Sequence, residues 1–347
     1  MKSRPVTIVD LAESLGLSKT TVADALRGSG RVAATTRRRV REAAREYGYV
    51  SNRAARQLRT RSSGAIGLYI PPQVRSMWFY MPFTFGVAQE ASQYENDLTL
   101  ITPRDGAVAP AQQLDGVMIV DALPGDPVVS SLMDLPVPIV TAGRISDIPE
   151  DRLAGFVEIE HERMCGVVLD ELEGLGFSNP ALVSPVPGDP LSWSHQLHAG
   201  YRKWCKRRGL RERAAAAVPF PDNAELAATL DEILRDPEVD AIFFAWQDIA
   251  TRAEIQLEHL RKETGRRVGI ATMVSSMDHF SHTYDAVLNL RPYEFGQATA
   301  RLLEEVITNP SDTLIHRIHD AVLVSSADME PATMGVTAVE NAPAKLP

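Results

Sequence analysis

The chain is poor in cysteine and contains no long apolar run. Only 2 of its 347 residues are cysteines, Cys165 and Cys205, which argues against a disulfide framework and favours reduced thiols. No run approaches the roughly 18 apolar residues of a membrane-spanning helix, and the N-terminal residues form no apolar signal segment. These absences predict a cytoplasmic protein with no membrane partner.

Signatures of catalytic and metal sites are also missing. The sequence has no HExxH, CxxC or nucleophile-elbow motif. Its 8 histidines are scattered, and two pairs lie three residues apart: His195 with His198, and His279 with His282. Asp278 or Glu294 could complete a metal site with such a pair, but surface histidines account for the same spacing. We therefore expect no enzyme activity, no cofactor and no metal.

Charge is distributed unevenly along the chain. The first 61 residues hold 14 of the 36 lysines and arginines but only 5 of the 45 acidic residues, so this segment carries +9 and the remainder −18. Lys and Arg neutralise phosphates, which is the main sequence-independent source of nucleic-acid affinity. A basic N-terminus can also be a solvated tail, and the residue pattern decides between the two.

The basic segment carries the start and stop signals of short helices. Thr7 followed by Asp10 is a capping box that opens a first helix, and Gly16 ends it. Ser18 then caps a second helix, Lys19 to Leu26. Such local signals are typical of a folded unit and not of a tail.

A third helix is predicted to begin at Thr35 or Thr36. Apolar residues recur at helical spacing in all three helices and are expected to point inward: Ile8, Leu11, Ala12, Leu15, Val22, Ala25, Leu26, Val40, Ala43, Ala44 and Tyr47. Two short helices joined by a Gly-containing turn and braced by a third make a helix-turn-helix unit.

Three segments carry a family resemblance. In their order and spacing, VTIVDLAESLGLSKTTV, GYVSNRAARQLRT and GAIGLYIP resemble the lactose-repressor (LacI) family of bacterial transcription regulators. The resemblance is dense over residues 6–71 and patchier down to about residue 330. It implies three parts: a helix-turn-helix DNA-binding domain at 1–50, a hinge helix and linker at 51–63, and a two-lobed effector-binding and dimerisation domain at 64–330. The stretch after Asp328 is Pro/Ala-rich and lacks heptads, so we expect a loose C-terminal tail at 331–347 and no tetramerising coiled coil.

The second helix of such a unit lies in the major groove with its N-terminal residues at base edges. Lys19 could donate to guanine, and Thr20 could bond a base or touch a thymine methyl. Asp24 departs from the family, which more often has a basic or larger polar residue there. It either accepts from cytosine N4 or pairs with Arg27. The residues better placed for phosphates are Ser18, Thr21 and Arg27.

Residues 51–59, SNRAARQLR, are helix-forming but too short to be a stable helix alone. By resemblance this is the hinge helix, which orders when two copies meet in the minor groove and Leu58 wedges between base pairs. The other residues expected to contact DNA in this segment are Asn52, Arg53, Ala55, Arg56 and Arg59. A charged linker with one incidental leucine is the alternative.

From about residue 64, apolar runs alternate with helical stretches. The runs occupy 65–70, 98–102, 117–120, 137–141, 181–184, 241–245 and 268–272. They predict an α/β body of parallel sheets flanked by helices, and about 270 residues suffice for two lobes. The resemblance implies a periplasmic-binding-protein-like body in which the chain crosses between lobes near 161, 290 and 319. A ligand would bind in the cleft at the carboxyl ends of the strands.

The resemblance places seven residues in that cleft: Phe79, Tyr80, Asp121, Leu197, Trp246, Gln247 and Ser275. Several depart from the family. The ligand-gripping arginine falls on Leu197, the Asn-Asp pair on Trp246 and Gln247, and a later Asp on Val274 or Ser275. An unpaired buried polar group costs about 1–3 kcal/mol, so a site without these residues has lost the usual grip on a sugar. Trp246 could stack on a ring or simply belong to the core.

A further departure lies between the runs at 98–102 and 117–120. Only GAVAPAQQ and a few neighbours connect them, which is near the minimum for a parallel crossover. We expect this lobe, and the dimer face it contributes, to differ in shape from the family.

These features predict a homodimeric, sequence-specific repressor that binds a pseudo-palindromic operator in double-stranded DNA. A small-molecule effector in the cleft would modulate its affinity, and we expect one that is less hydroxylated than a sugar or held by stacking. Two alternatives remain open: a DNA-binding regulator with a vestigial cleft controlled by abundance or a protein partner, and an enzyme or solute-binding body fused to a DNA-binding head.

Overall fold

Two compact units make up the chain, Met1–Gly64 and Ala65–Pro347. The computed structural model describes residues 6–27, 32–49, 62–75, 77–102, 113–145, 148–185, 191–218, 221–275 and 284–326. The predicted hinge segment at 51–59, most of the predicted linker and the tail at 331–347 lie outside these residues.

The first unit contains three helices, α1 (Ile8–Leu15), α2 (Lys19–Arg27) and α3 (Ala34–Glu46). The predicted capping box is confirmed: the Thr7 amide donates to Asp10 Oδ2 at 2.8 Å, and the Asp10 amide donates to Thr7 Oγ1 at 3.3 Å. Gly16 ends α1 in the left-handed conformation, with a φ of 63°. Ser18 Oγ accepts from the Thr21 amide at 3.0 Å and caps α2 as predicted.

The core of this unit follows the predicted apolar pattern, with one exception. Six residues are buried: Leu11, Ala12, Val22, Ala25, Val40 and Ala43. Tyr47 was predicted to lie inside, and this was wrong: it follows the last turn of α3 as the C-cap residue and is 49% exposed. The start of α3 also differs, because the helix begins at Ala34, before either threonine, and its N-cap Ala33 makes no side-chain hydrogen bond.

The second unit contains two six-stranded sheets. The first has the order β11-β5-β4-β3-β1-β2, with every neighbouring pair parallel. Its strands are β1 (Ala65–Tyr69), β2 (Asp97–Ile101), β3 (Gly116–Val120), β4 (Ile139–Ala142), β5 (Gly155–Glu158) and β11 (Ile315–Ile318). Helices α4 (Tyr80–Gln93), α5 (Pro127–Met133) and α10 (Pro292–Thr308) and a short 3₁₀ helix (Glu150–Arg152) complete this N lobe.

The C lobe holds the second sheet, in the order β12-β10-β9-β8-β6-β7. Its strands are β6 (Pro180–Ser184), β7 (Ala214–Ala216), β8 (Ala241–Phe244), β9 (Gly269–Val274), β10 (Ala286–Asn289) and β12 (Val322–Ser325). Its helices are α6 (His161–Gly174), α7 (Ser192–Arg208), α8 (Asn223–Leu234) and α9 (Gln247–Thr264). Cys165 and Cys205 are free and buried in this lobe.

The two lobes share one chain that passes between them three times. It leaves the first sheet after β5, returns from the second sheet after β10, and leaves again between β11 and β12. These passages fall at 159–160, 290–291 and 319–321. The cleft between the lobes is therefore assembled from segments far apart in sequence.

The α/β architecture predicted from the apolar runs is confirmed, and each of the seven runs overlaps a strand. Five short strands, β5, β7, β10, β11 and β12, were not predicted. β11 reads IHRI, so polar residues interrupt its apolar pattern. The sheets are also not wholly parallel, because β12 pairs antiparallel with β10.

Close helix packing holds the N lobe together. A Cβ atom built on Gly86 of α4 would lie 1.9 Å from the carbonyl oxygen of Tyr293, and one on Gly296 of α10 would lie 2.1 Å from that of Phe83. The two helices therefore approach at a distance that only glycine permits. Beside this contact, Arg301 donates two hydrogen bonds of 3.0 Å to the buried Glu90 carboxylate.

Candidate functional site

A cavity of about 100 Å³ lies between the lobes, at the carboxyl ends of the strands of both sheets. Six of the seven residues predicted for the cleft line it: Phe79, Tyr80, Asp121, Trp246, Gln247 and Ser275. Leu197 does not; it is buried in the C-lobe core, and its neighbour Gln196 lines the cavity instead. Successive residues of a helix point about 100° apart, which explains why one faces the core and the other the cleft.

Several lining residues were missed at the sequence level. Among them are Arg144, Glu158, His161, Trp193 and Gln196. Glu158 ends β5, which is one of the strands that the apolar pattern did not predict. A charged residue at the carboxyl end of a predicted strand is a candidate for the cleft, so predicting β5 would have identified Glu158 as one.

The N-lobe wall contains a tyrosine–aspartate pair, of which Tyr80 is buried and Asp121 partly buried. The Tyr80 hydroxyl donates to Asp121 Oδ2 at 2.6 Å. Asp121 follows β3 and has a φ of 45°, in the left-handed region that residues other than glycine rarely adopt. Burial raises the pKa of Asp121 to about 6, and the hydrogen bond from Tyr80 opposes that rise.

A second carboxylate on this wall is paired with its neighbours. Glu158 lies 3.3 Å from Arg144 Nη2 and 2.8 Å from His316 Nε2. Arg144 also pairs with Glu150 and lies 4.5 Å above the ring of Phe156. The arginine is thus held at the mouth of the cleft by groups of the protein itself.

Aromatic side chains form much of the remaining surface. The rings of Trp193 and Trp246 meet edge to face at 6.1 Å, and His161 lies 6.2 Å from Trp193. Burial lowers the pKa of His161 to about 4, so this imidazole is neutral at pH 7. Trp246 is 8% exposed, and its Nε1 has no hydrogen-bond partner among the residues that the structure describes.

The predicted histidine pairs do not assemble a metal site in the described part of the chain. His198 Nε2 lies 2.8 Å from Ser184 Oγ and 3.2 Å from the carbonyl oxygen of Pro185. Among the described residues no group of three or more His, Cys, Asp and Glu side chains could hold a metal ion. His279, His282 and Asp278 lie outside them.

The first unit presents a polar helix start at its surface. Ser18, Lys19 and Thr20 are exposed where α2 begins, whereas Thr21 and Asp24 are partly buried. Ser18 Oγ lies 2.8 Å from Thr21 Oγ1, so these two hydroxyls are engaged with each other. The remaining residues predicted to contact DNA lie outside the described side chains: Arg27, Asn52, Arg53, Ala55, Arg56, Leu58 and Arg59.

Residues 7–52, which contain these three helices, match the family model described as bacterial regulatory proteins, lacI family. This segment is a LacI-family helix-turn-helix domain, which makes the chain a DNA-binding transcription regulator. The second unit has a periplasmic-binding-protein-like fold. No helix in the described ranges is long and apolar enough to span a bilayer.

Proteins similar to this chain carry regulator names. It is 28% identical over 324 residues to the HTH-type transcriptional regulator CelR of Thermobifida fusca, an alignment that covers 88% of this chain and 93% of CelR. It is 37% identical over 215 residues to the regulator AglR of Rhizobium meliloti (strain 1021), covering 59% of each chain.

Solved structures share the fold of this chain. A CelR–cellobiose complex superimposes with a TM-score of 0.63 at 23% identity, covering 92% of this chain and 98% of that one. A lac repressor dimer bound to operator and the anti-inducer ONPF gives a TM-score of 0.68 at 18% identity, covering 94% of this chain and 100% of that one.

Proposed function

We propose that this protein is a cytoplasmic repressor that binds a pseudo-palindromic operator as a homodimer and responds to a small molecule in the interlobe cleft. Its parts would be the DNA-binding domain at 1–50, the hinge and linker at 51–63, the effector-binding and dimerisation body at 64–330 and the tail at 331–347. The observation that carries the proposal is a cavity built by both lobes, in a chain whose basic first unit exposes the start of α2.

The DNA-reading role rests on α2. Lys19 and Thr20 are exposed at its N-terminal end, the part of a recognition helix that reaches base edges. Positive charge is concentrated in this part of the chain, while the remainder carries −18. The acidic body would repel DNA phosphate and confine non-specific contact to the basic unit.

The effector role rests on the position and lining of the cavity. Ligands of open α/β sheets bind outside the carboxyl ends of the strands, where this cavity lies. The related CelR is known in a complex with cellobiose. A ligand that touches both lobes and prefers one arrangement of them would shift operator affinity by that difference in binding free energy.

Dimerisation is supported by exposed apolar side chains. On α4, Met81 is 67% and Phe85 is 60% exposed, four residues apart on one helix face. On α9 of the other lobe, Ile255 is 75% exposed. Large apolar side chains at the surface of both lobes suit a two-fold interface with a second copy of this chain.

A selection of DNA sequences from a random pool tests the proposal with the full chain. We expect enrichment of one sequence with two related half-sites, bound by a dimer in sedimentation experiments. Binding without sequence preference at about 150 mM salt would contradict the operator assignment. Substitution of Phe85 by Asp should yield a monomer that has lost this selectivity.

A second candidate function is a regulator whose cleft no longer binds a ligand. The cavity of about 100 Å³ favours it, because small-molecule pockets typically measure about 300–1,000 Å³. Thermal unfolding of the full chain with a metabolite collection separates the candidates. A ligand that binds the native state raises the unfolding temperature, whereas a vestigial cleft leaves it unchanged although operator binding persists.

A further inference from the structure

His319 lies where the chain passes between the lobes for the third time, and it is bonded to both of them. Its amide donates to the carbonyl oxygen of Glu158 at 2.8 Å, which fixes its main chain to the end of β5 in the N lobe. Its Nε2 lies 3.2 Å from the carbonyl oxygen of Leu290. The Leu290 amide in turn donates to the carbonyl oxygen of Val274, the last residue of β9 in the C lobe, at 3.0 Å. A continuous path of hydrogen bonds therefore runs from one sheet to the other through this imidazole.

The acceptor determines which nitrogen of the ring carries the proton. A carbonyl oxygen only accepts, so the hydrogen bond to Leu290 requires an N–H at Nε2 of His319. Burial lowers the pKa of His319, and the ring is therefore neutral at pH 7. The single N–H of the neutral imidazole is thus used to hold the second passage of the chain to the third.

The face of the same ring packs against the N lobe. The rings of His319 and Phe295 are stacked, with 4.9 Å between their centres and 19° between their planes. Phe295 belongs to α10 and meets Phe83 of α4 edge to face at 5.6 Å. The imidazole is therefore in contact with the helix pair that the glycines of α4 and α10 hold together.

Both residues that the imidazole contacts line the interlobe cavity. Leu290 and Phe295 are lining residues, whereas His319 is not. The ring of His319 lies behind the cavity wall, where it is 8% exposed. A displacement of either wall residue therefore reaches the imidazole without any contact between His319 and the contents of the cavity.

The backbone beside Leu290 is strained. Arg291 has a φ of 49°, in the left-handed region, and is the N-cap residue of α10. This conformation is unfavourable for residues other than glycine, and it persists only where the surrounding structure holds it. The chain turns here from the C-lobe sheet into an N-lobe helix, one residue after the carbonyl group that His319 holds.

We propose that His319 is a positioning residue that couples the cavity wall to the relative orientation of the two lobes. Movement of Leu290 or Phe295 displaces the imidazole, and its main chain, bonded to β5, carries that displacement into the N-lobe sheet. The inference rests on the proposed effector function and names the residue through which the cavity acts on the lobes. Without the Nε2–H bond the lobes adopt a wider range of orientations, so a smaller fraction of the molecules is competent to bind the operator.

Hydrogen–deuterium exchange of the full chain tests the link between the lobes. H319F keeps an aromatic ring and removes the donor, whereas H319Q keeps an N–H donor and removes the ring. We expect H319F to speed exchange about 5-fold in peptides that span 286–291 and 315–320, with the peptides of β8 unchanged, because one buried hydrogen bond is lost locally. H319Q should exchange as slowly as the unsubstituted protein.

His198 provides a matched control, because its Nε2 also lies 3.2 Å from a carbonyl oxygen, that of Pro185, but within the C lobe alone. H198F should leave exchange at 286–291 and 315–320 unchanged. H319A removes the same donor with a smaller side chain, and it takes the place of H319F if the larger ring prevents folding.

Operator affinity gives a second readout, which general destabilisation of the body does not reproduce. Fluorescence anisotropy with the DNA sequence enriched by selection should show about 5-fold weaker binding by H319F. H319Q and H198F should bind as the unsubstituted protein does. His319 belongs to the second unit and the DNA-binding helices to the first, so this loss reports coupling through the body.

Three outcomes would overturn the inference: unchanged exchange of both segments in H319F, exchange in H319Q as fast as in H319F, or equal operator affinities of H319F and the unsubstituted protein. Each of them contradicts this inference alone if the unsubstituted protein binds DNA selectively. Binding without sequence preference by the unsubstituted protein contradicts the proposed function instead, and the exchange rates of H319F and H319Q still decide whether His319 links the lobes.

Discussion

The hydroxyl of Tyr80 lies 2.6 Å from Oδ2 of Asp121, which joins the first residue of α4 to the residue that follows β3. Both groups line the interlobe cavity. Burial raises the pKa of both groups, that of Asp121 to about 6. The carboxyl therefore changes its protonation close to physiological pH.

The first prediction concerns the pH dependence of stability. A folded-state pKa of about 6 for Asp121 lies above its ordinary value of 3.8, so the native state binds the extra proton between these values. The stabilisation from the protonated carboxyl is present below about pH 4 and is lost as the pH rises through 6. Relative to the unsubstituted protein, D121N should gain on the order of 2 kcal/mol in free energy of unfolding between pH 4 and pH 7.

Urea titrations of both proteins at several pH values measure this difference. Y80F gives an independent check, because it removes the hydrogen bond that opposes the rise and should move the transition to higher pH. A raised pKa would be ruled out if the difference in free energy of unfolding between D121N and the unsubstituted protein did not vary with pH.

The second prediction concerns the pair formed by Arg301 and Glu90. Glu90 is 2% exposed, so R301A leaves a buried carboxylate whose remaining side-chain partner among the described residues is the Tyr94 hydroxyl at 3.4 Å. Because Arg301 itself is half exposed, losing it should cost about 1–3 kcal/mol, the desolvation penalty of the unpaired carboxylate, and adding E90Q should restore a large part of it. Chemical denaturation measures both. The control is R163A, which breaks an exposed pair with Glu160 and should cost less than about 1 kcal/mol; equal losses in the two variants would contradict the burial argument.

The third prediction concerns the contact between α4 and α10. A methyl group on Gly86 would overlap the carbonyl oxygen of Tyr293, so G86A should destabilise the protein by about 1–3 kcal/mol. Gly174 at the end of α6 has no atom within 4 Å of the built Cβ, and G174A should be neutral or stabilising by up to about 1 kcal/mol. Thermal unfolding of the two variants would refute the close-packing account if G86A were the more stable.

The fourth prediction concerns recognition of the operator. Lys19 is exposed at the start of α2, so K19A should leave the first unit folded and weaken operator binding by about 1–3 kcal/mol. Fluorescence anisotropy at fixed salt measures this loss, and circular dichroism checks the fold. Lys206 of α7 is also exposed but belongs to the acidic body, and K206A should bind as the unsubstituted protein does. Equal operator affinity of the two variants would show that Lys19 does not contact the operator.

The helices of the first unit could be predicted because their signals are local. Thr7, Gly16 and Ser18 act within one helical turn, and the structure contains the bonds that their types predict. Tyr47 was misplaced because periodicity does not say where a helix ends relative to its neighbours. The short strands were missed for a related reason: β5 and β11 have four residues each, which is too few for a pattern to stand out.

The cleft could be predicted only in part. Tyr80, Asp121 and Trp246 were found by resemblance, which aligns single positions to a known fold. Arg144 and Trp193 also line the cavity but were not predicted. Leu197 was wrongly placed in the cleft, where Gln196 lies instead. On a helix, an alignment error of one residue is enough to exchange a residue that faces the core for one that faces the cleft.

The sequence by itself determined the local and compositional properties of this protein: two capped helices and a third helix of apolar periodicity in the first unit, the separation of a +9 segment from a −18 remainder, and the alternation of strands and helices in the body. Only the tertiary structure decided which polar groups meet in the cleft. Asp121, Glu158 and Trp246 come from three strand ends, and the chain crosses between lobes before the last of them. Such contacts depend on the order of the strands in each sheet and on where the chain crosses between the lobes. Neither produces a periodic pattern in the sequence, so neither could be predicted from it.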